Sequence, residues 1–209
     1  MKDNGAAVWY ENIRTPAYVC DIGKLKENLR VVSRIKHETG CKILLATKSF
    51  ALPRVFPYMK DVLDGTTASG IFEARLGYED FGKEVHVYSP AYTDDEIKGL
   101  REYAGHFYFN SVDQFEKYKV ALKGKKLGLR VNPEISQVTN NPKYDPCHPQ
   151  SRFGVMKYDL DRVDWDSIDI FHVHALCENR HEASKNLIEK VSKDFASYIE
   201  KVEEVNFGG

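Results

Sequence analysis

Lys48 closes the run Cys41-Lys-Ile-Leu-Leu-Ala-Thr-Lys-Ser-Phe50, where an apolar strand gives way to a loop. A primary amine at such a strand end, desolvated by neighbouring strands, has a lowered pKa and is free at neutral pH to attack an aldehyde and form a Schiff base. The competing reading is a lysine that lays its stem along a core and keeps its head in water. Further along, His172-Val-His174 puts two imidazoles on one face of a strand, because side chains alternate with period two. With Cys177 and His181 they form H-x-H-x-x-C-x-x-x-H, a set able to ligate a metal. Metal-dependent barrel hydrolases carry such a pair on the first strand with a lysine later. Here Lys48 precedes both histidines, so no metal is expected. The run Val205-Asn-Phe-Gly-Gly209 ends in two glycines, a composition that lets backbone N–H groups approach a phosphate, although a plain turn needs the same residues.

The elements that must position these groups are short and regularly spaced. Apolar, β-branched or aromatic runs at 17–21, 42–46, 62–66, 85–89, 106–110, 126–132, 168–175 and 205–209 read as strands. Helical patterns lie between most of them. Leu25, Leu29, Val32 and Ile35 share a face between a capping Asp21 and a stop at Gly40. Ser111 and Gln114 form a capping box ahead of Val112, Phe115, Tyr118 and Leu122, and Leu187, Val191, Phe195 and Val202 mark a long amphipathic helix. The alternation predicts a parallel α/β sheet, and early strand ends about 20 residues apart suit a (β/α)8-type barrel. A doubly wound open sheet is the alternative, but no GxGxxG follows the first strand. Residues 133–153, rich in Pro, Asn and Ser, read as a long loop.

In a parallel barrel the carboxyl ends of the strands share one mouth. Lys48, Ser69, Glu73, Ser89, Asn110, Arg130, Asn132, His172 and His174 all fall at or near such ends. Singly, each has a plain explanation as a cap, an ion-pair partner or a hydrogen-bonded core residue.

The 209 residues, 42% hydrophobic and 29% charged, suffice for one sizeable core and predict a single domain over 1–209. A formal net charge of -1 with both signs mixed along the chain argues against nucleic acid or anionic lipid and favours a small-molecule partner. No apolar run is long enough for a membrane span, and the opening residues lack the core of a secretion signal, so a cytoplasmic protein is expected. The 4 cysteines show no CxxC pair and read as reduced thiols.

Seven stretches carry a resemblance over almost the whole chain: Thr15-Pro-Ala-Tyr-Val-Cys-Asp21, Leu44-Leu-Ala-Thr-Lys-Ser-Phe50, Gly65-Thr-Thr-Ala-Ser-Gly-Ile-Phe-Glu-Ala-Arg-Leu-Gly77, Leu129-Arg-Val-Asn-Pro-Glu134, Ser151-Arg-Phe-Gly154, His172-Val-His-Ala-Leu-Cys-Glu178 and Asn206-Phe-Gly-Gly209. The chain resembles the pyridoxal-phosphate-dependent decarboxylases of fold type III, the alanine-racemase-like barrels. Within them Tyr144-Asp-Pro-Cys147 and His-Ala-Leu-Cys-Glu favour the carboxynorspermidine/carboxyspermidine decarboxylase branch over the diaminopimelate decarboxylases.

The resemblance implies pyridoxal 5'-phosphate as cofactor, with Lys48 as its Schiff-base lysine and His174 stacked on the pyridine ring. It implies Gly208 and Gly209 in the phosphate cradle, Arg130 near the phenolic oxygen, and Ser69 with Glu73 in the site wall. Related sequences often carry a second small polar residue where this one has Gly70. Glu134, Asp145 and Glu178 are candidate carboxylates for a polyamine substrate. The implied reaction removes carbon dioxide from carboxynorspermidine or carboxyspermidine in a homodimer. The family's last barrel strand and its C-terminal β domain are absent from these 209 residues, so the expectation is an incomplete barrel, inactive by itself. A diaminopimelate decarboxylase-like enzyme and a non-catalytic cofactor-binding barrel are the alternatives.

Overall fold

The computed structural model describes residues 13–136, 142–176 and 179–208. These form two compact units that divide between Cys41 and Lys42. In the first, the predicted helix is present as α1 (Ile22–Thr39): the Asp21 side chain accepts from the Lys24 amide at its start, and Gly40, with φ 69°, ends it in the left-handed conformation. The strand expected over 17–21 is not formed. Tyr18 and Val19 are exposed, and among the described residues of this unit there is no strand with which to pair. A short apolar run becomes a strand only where a neighbour takes up its backbone groups.

The second unit alternates strand and helix: β1 (Leu44–Ala46), α2 (Phe56–Met59), β2 (Gly65–Ala68), α3 (Ile71–Leu76), β3 (Glu84–Tyr88), α4 (Asp94–Tyr103), β4 (His106–Phe109), α5 (Val112–Tyr118), β5 (Lys126–Arg130), β6 (Ile170–His172), α6 (His181–Asp194), α7 (Ala196–Ile199) and β7 (Glu204–Asn206). Seven strands lie in sequence order, every neighbouring pair parallel, as expected of consecutive βα units. The sheet curls, so that Lys42 Nζ before β1 comes within 3.9 Å of the Glu204 carboxylate on β7, at the opposite edge.

Register divides the sheet into two faces. Val85, Val87, Phe107, Phe109, Leu127, Leu129, Phe171 and Val173 are buried in one core with Ile97 and Leu100 of α4, Phe115 and Tyr118 of α5, and Leu187 and Val191 of α6. Burial of each such side chain contributes about 1.5–3 kcal/mol. Alternate residues form the opposite, inward face, which is polar: His86 and Tyr88 on β3, His106 and Tyr108 on β4, Arg130 on β5, His172 on β6, Asn206 on β7.

Two expectations about elements need correction. The helix predicted through Val202 breaks at Phe195, whose backbone (φ -123°, ψ 13°) leaves the helical region while its ring packs 5.7 Å from Phe171; α7 is a separate turn. Strand β6 is shorter than the run 168–175, because beyond His172 only Val173 still bonds to the neighbouring strand, through the Asn206 carbonyl. Of the long loop expected over 133–153, the described residues contain no strand and short 3-10 turns follow, with Val155 returning to bridge Val131.

Candidate functional site at the carboxyl ends of the strands

Lys48 lies in the turn just past β1, two residues beyond Ala46, close enough for its charge to act on His174. The burial expected around it is not found. Lys48 is exposed, because it sits above the sheet instead of between strands, and among the described residues its amine makes no hydrogen bond or ion pair. The neighbouring Thr47 is buried, and its hydroxyl donates to the Thr67 carbonyl at 3.0 Å and the Glu73 carboxylate at 2.8 Å. Glu73 also accepts from the Ser69 amide at 3.1 Å. One carboxylate on α3 thus ties the turn carrying Lys48 to the end of β2, a fixed base for a long side chain. Ser69 itself is exposed.

Arg130, at the end of β5, is 4% exposed, yet it has no carboxylate partner among the described residues. Its guanidinium donates to the Tyr88 hydroxyl and, at 3.1 Å, to the His174 carbonyl. It lies between the Tyr88 ring, 4.9 Å from its centroid, and the Phe153 ring at 4.8 Å. Asn110 completes the arrangement: its side-chain oxygen accepts from the Tyr88 hydroxyl and from the Gly154 amide, both at 2.9 Å, and its amide nitrogen donates to the Arg152 carbonyl at 2.9 Å. The Ser151-Arg-Phe-Gly154 turn is thereby pinned over Arg130.

His174 follows β6 and packs against Gly208. A Cβ at residue 208 would lie 2.6 Å from His174 Nδ1, and its φ of 67° also favours glycine. Burial, then the positive charges of Arg130 and Lys48, push the His174 pKa down to about 4, so its ring is neutral at physiological pH. His174 therefore meets Arg130 through its carbonyl and Gly208 through its ring, with the Lys48 charge near enough to act on the imidazole. The Gly208 amide is engaged by the Asn206 side chain at 2.8 Å.

Of the proposed substrate carboxylates, Glu134 is exposed with a left-handed φ of 53°, its amide held by the Asn132 side chain at 2.9 Å, and Asp145 accepts from the Cys147 amide within its own loop. Glu178, Cys177 and Gly209 lie outside the described residues. Ser89 does not turn to the mouth; its hydroxyl donates to the Ala91 carbonyl. Tyr88, one residue earlier, is the functional neighbour that sequence reasoning missed. The alternation Glu84, His86, Tyr88 against Val85 and Val87 is the signal that marks it as inward.

The inward histidines give the fold a pH dependence. Burial first, then neighbouring charge, lowers His86 to about 4 and His172 to about 3, and His174 to about 4 as above. The unfolded values lie near 6.5, so below that pH the unfolded chain takes up protons that the folded chain refuses. Stability is complete above about pH 6.5 and falls toward pH 4. Chemical denaturation at pH 7 and pH 5 should differ by roughly 1–2 kcal/mol for each of these histidines. A flat profile over that range would contradict their burial as neutral rings.

No protein-family model matches the chain. Curated relatives do. The chain is 37% identical over 202 residues, 97% of its length and 53% of the relative's, to a carboxynorspermidine/carboxyspermidine decarboxylase of Campylobacter jejuni. It is homologous to the carboxynorspermidine/carboxyspermidine decarboxylases. A carboxyaminopropylagmatine decarboxylase of Synechocystis is 38% identical over 95% of the chain and 51% of that relative. The chain thus spans about half the length of the curated relatives it matches. The crystal structure of carboxynorspermidine decarboxylase from C. jejuni, complexed with norspermidine, superimposes with a TM-score of 0.85 at 35% identity, covering 94% of this chain and 51% of that one. Diaminopimelate decarboxylase from Helicobacter pylori, at 18% identity and a TM-score of 0.74, covers 94% of this chain and shares the fold. The seven-stranded sheet therefore matches part of the barrel of these decarboxylases. No helix among the described residues is long and apolar enough to cross a membrane.

Proposed function

We propose that the full-length protein is a pyridoxal-phosphate-dependent decarboxylase acting on carboxynorspermidine or carboxyspermidine in polyamine synthesis, as a cytoplasmic homodimer. The observation that carries this reading is the trio at the barrel mouth: an exposed Lys48 amine without a partner among the described residues, a neutral His174 ring, and Gly208 seated against that ring where any side chain would collide. These residues fit the cofactor. An aldehyde needs a free amine, and a planar pyridine needs a planar neighbour without a competing charge.

Bound there, pyridoxal phosphate would supply a protonated ring that accepts the electron pair left when carbon dioxide departs. The chain's own groups do the rest. Lys48 would hold the cofactor's aldehyde carbon through its amine, on a base fixed by Thr47 and Glu73. His174 offers its ring face and, being neutral, does not repel a protonated pyridine. Arg130 holds the His174 carbonyl and would serve the phenolic oxygen, and Ser69, Gly208 and Gly209 would serve the phosphate. Glu134, Asp145 and Glu178 would attract the ammonium groups of a long polyamine, a recognition that strengthens in low salt.

The test is product formation by full-length protein supplied with pyridoxal phosphate. Norspermidine from carboxynorspermidine, or spermidine from carboxyspermidine, is the expected outcome. Lysine from diaminopimelate in place of either would move the assignment to the diaminopimelate branch, and release of no amine from any of the three would overturn it.

A further inference from the structure

Behind the Lys48–His174 end, the inward face of the sheet carries a hydrogen-bonded chain with a single direction. The Gly208 amide donates to Asn206 Oδ1 at 2.8 Å, and Asn206 Nδ2 donates to the Tyr108 hydroxyl at 3.0 Å. The Tyr108 oxygen lies 2.7 Å from His86 Nδ1, and His86 Nε2 lies 3.2 Å from the Glu84 carboxylate, whose other oxygen accepts from Lys42 at 2.8 Å. Tyr108 and His86 are 2% and 3% exposed, so water does not compete for these bonds.

The two ends dictate the proton positions between them. Because Asn206 donates to Tyr108, the phenol's own proton is left to go to His86 Nδ1, which must accept it. A neutral His86 then carries its proton on Nε2 and donates to Glu84, an acceptor. Every donor meets an acceptor in one order only, the condition under which a buried network fixes geometry. A metal site is not what these groups build, although the ligand atoms of Glu84, His86 and His106 lie within 4.8 Å of one another. The His86 and His106 rings are stacked at 3.8 Å with an interplanar angle of 3°, so their in-plane lone pairs run parallel and do not converge, and the Lys42 ammonium already occupies the carboxylate.

We propose that Tyr108 and His86 are positioning residues for the His174–Gly208 contact, acting through Asn206, with Glu84 setting the direction of the chain. Asn206 is the lever. Its oxygen holds the Gly208 amide, and Gly208 in turn bears on the His174 ring. The cofactor consequence rests on the functional reading above, whereas the effect on His174 does not.

Reversing the chain tests this. In full-length protein, Asn206→Asp turns the donor facing Tyr108 into an acceptor, so the phenol must turn its proton away from His86, and His86 is left facing an acceptor on both sides. Glu84→Gln supplies the missing donor: its oxygen still accepts from Lys42 and its amide donates to His86 Nε2. Asn206→Asp alone should shift the His174 ring 15N resonances and weaken pyridoxal phosphate binding about tenfold, the size expected when one buried group loses its partner. Adding Glu84→Gln should restore both to within about threefold of wild type and move the His86 proton to Nδ1, seen in its 15N shifts. Tyr108→Phe, which keeps the ring, should shift His174 as well and is the variant to use if Asn206→Asp does not fold. Losses that simply add in the double variant, or His174 resonances unmoved by Asn206→Asp and Tyr108→Phe, overturn the proposal. Cofactor attached away from Lys48 in wild type would sink the functional reading instead, and the His174 and His86 shifts would still decide the positioning claim.

Discussion

Replacing Lys48 with alanine in the full-length protein should lower the decarboxylation rate at least about a thousandfold, equivalent to roughly 4 kcal/mol of barrier. Among the described residues the other lysines of the inward face, Lys42 and Lys126, are held at the opposite end of the strands by Glu84 and Glu203. Stability should change by no more than about 0.5 kcal/mol, because the side chain is exposed and bonds to none of the described residues. Activity and thermal unfolding measured together separate the two effects. A variant that loses activity only because it unfolds, or one that keeps more than a few per cent of the wild-type rate, would remove Lys48 from the chemistry. Lys48→Arg should be as inactive as alanine, since a guanidinium keeps the charge but not the nucleophile.

Gly208→Ala is the second change with a large expected effect, and its cause is different. The backbone at 208 is left-handed (φ 67°), a conformation that costs an alanine about 1–2 kcal/mol. The added methyl would also lie 2.6 Å from His174 Nδ1 and 2.8 Å from the Val173 carbonyl, so ring, strand end or the 208 turn must shift. The turn cannot move alone, because Asn206 holds the 208 amide. A total loss of about 2–4 kcal/mol is expected in chemical denaturation, together with at least a tenfold weaker grip on the cofactor. Unchanged stability would mean that the His174–Gly208 contact is loose and does not support a ring stacked on it.

How much of this could be read in the sequence depends on how local each feature is. The α/β rhythm was legible because caps and periodicity are properties of neighbouring residues: Asp21 and Gly40 bound α1, and the Ser111 hydroxyl accepts from the Gln114 amide at the start of α5. Lys48, Arg130 and His174 were legible as strand-end groups for the same reason. The run 17–21 misled because its apolar residues satisfy a local strand pattern while the partner a strand needs is a non-local fact. Phe195 misled because its spacing continues a helix, whereas its ring is held at Phe171, far away in the chain. The exposure of Lys48 depends on where β1 stops, which its apolar run does not mark. The chain from Gly208 to Glu84 was beyond sequence reading for a further reason: Asn206, Tyr108, His86 and Glu84 belong to strands β7, β4 and β3, and only the register and the curl of the sheet bring them together.

The proposed function requires Lys48 to hold pyridoxal phosphate beside a neutral His174. Borohydride reduction of the full-length protein incubated with the cofactor, followed by peptide mapping, measures it directly. A phosphopyridoxyl group is expected on the peptide bearing Lys48; the same group on a different lysine, or no modification at saturating cofactor, would contradict that role.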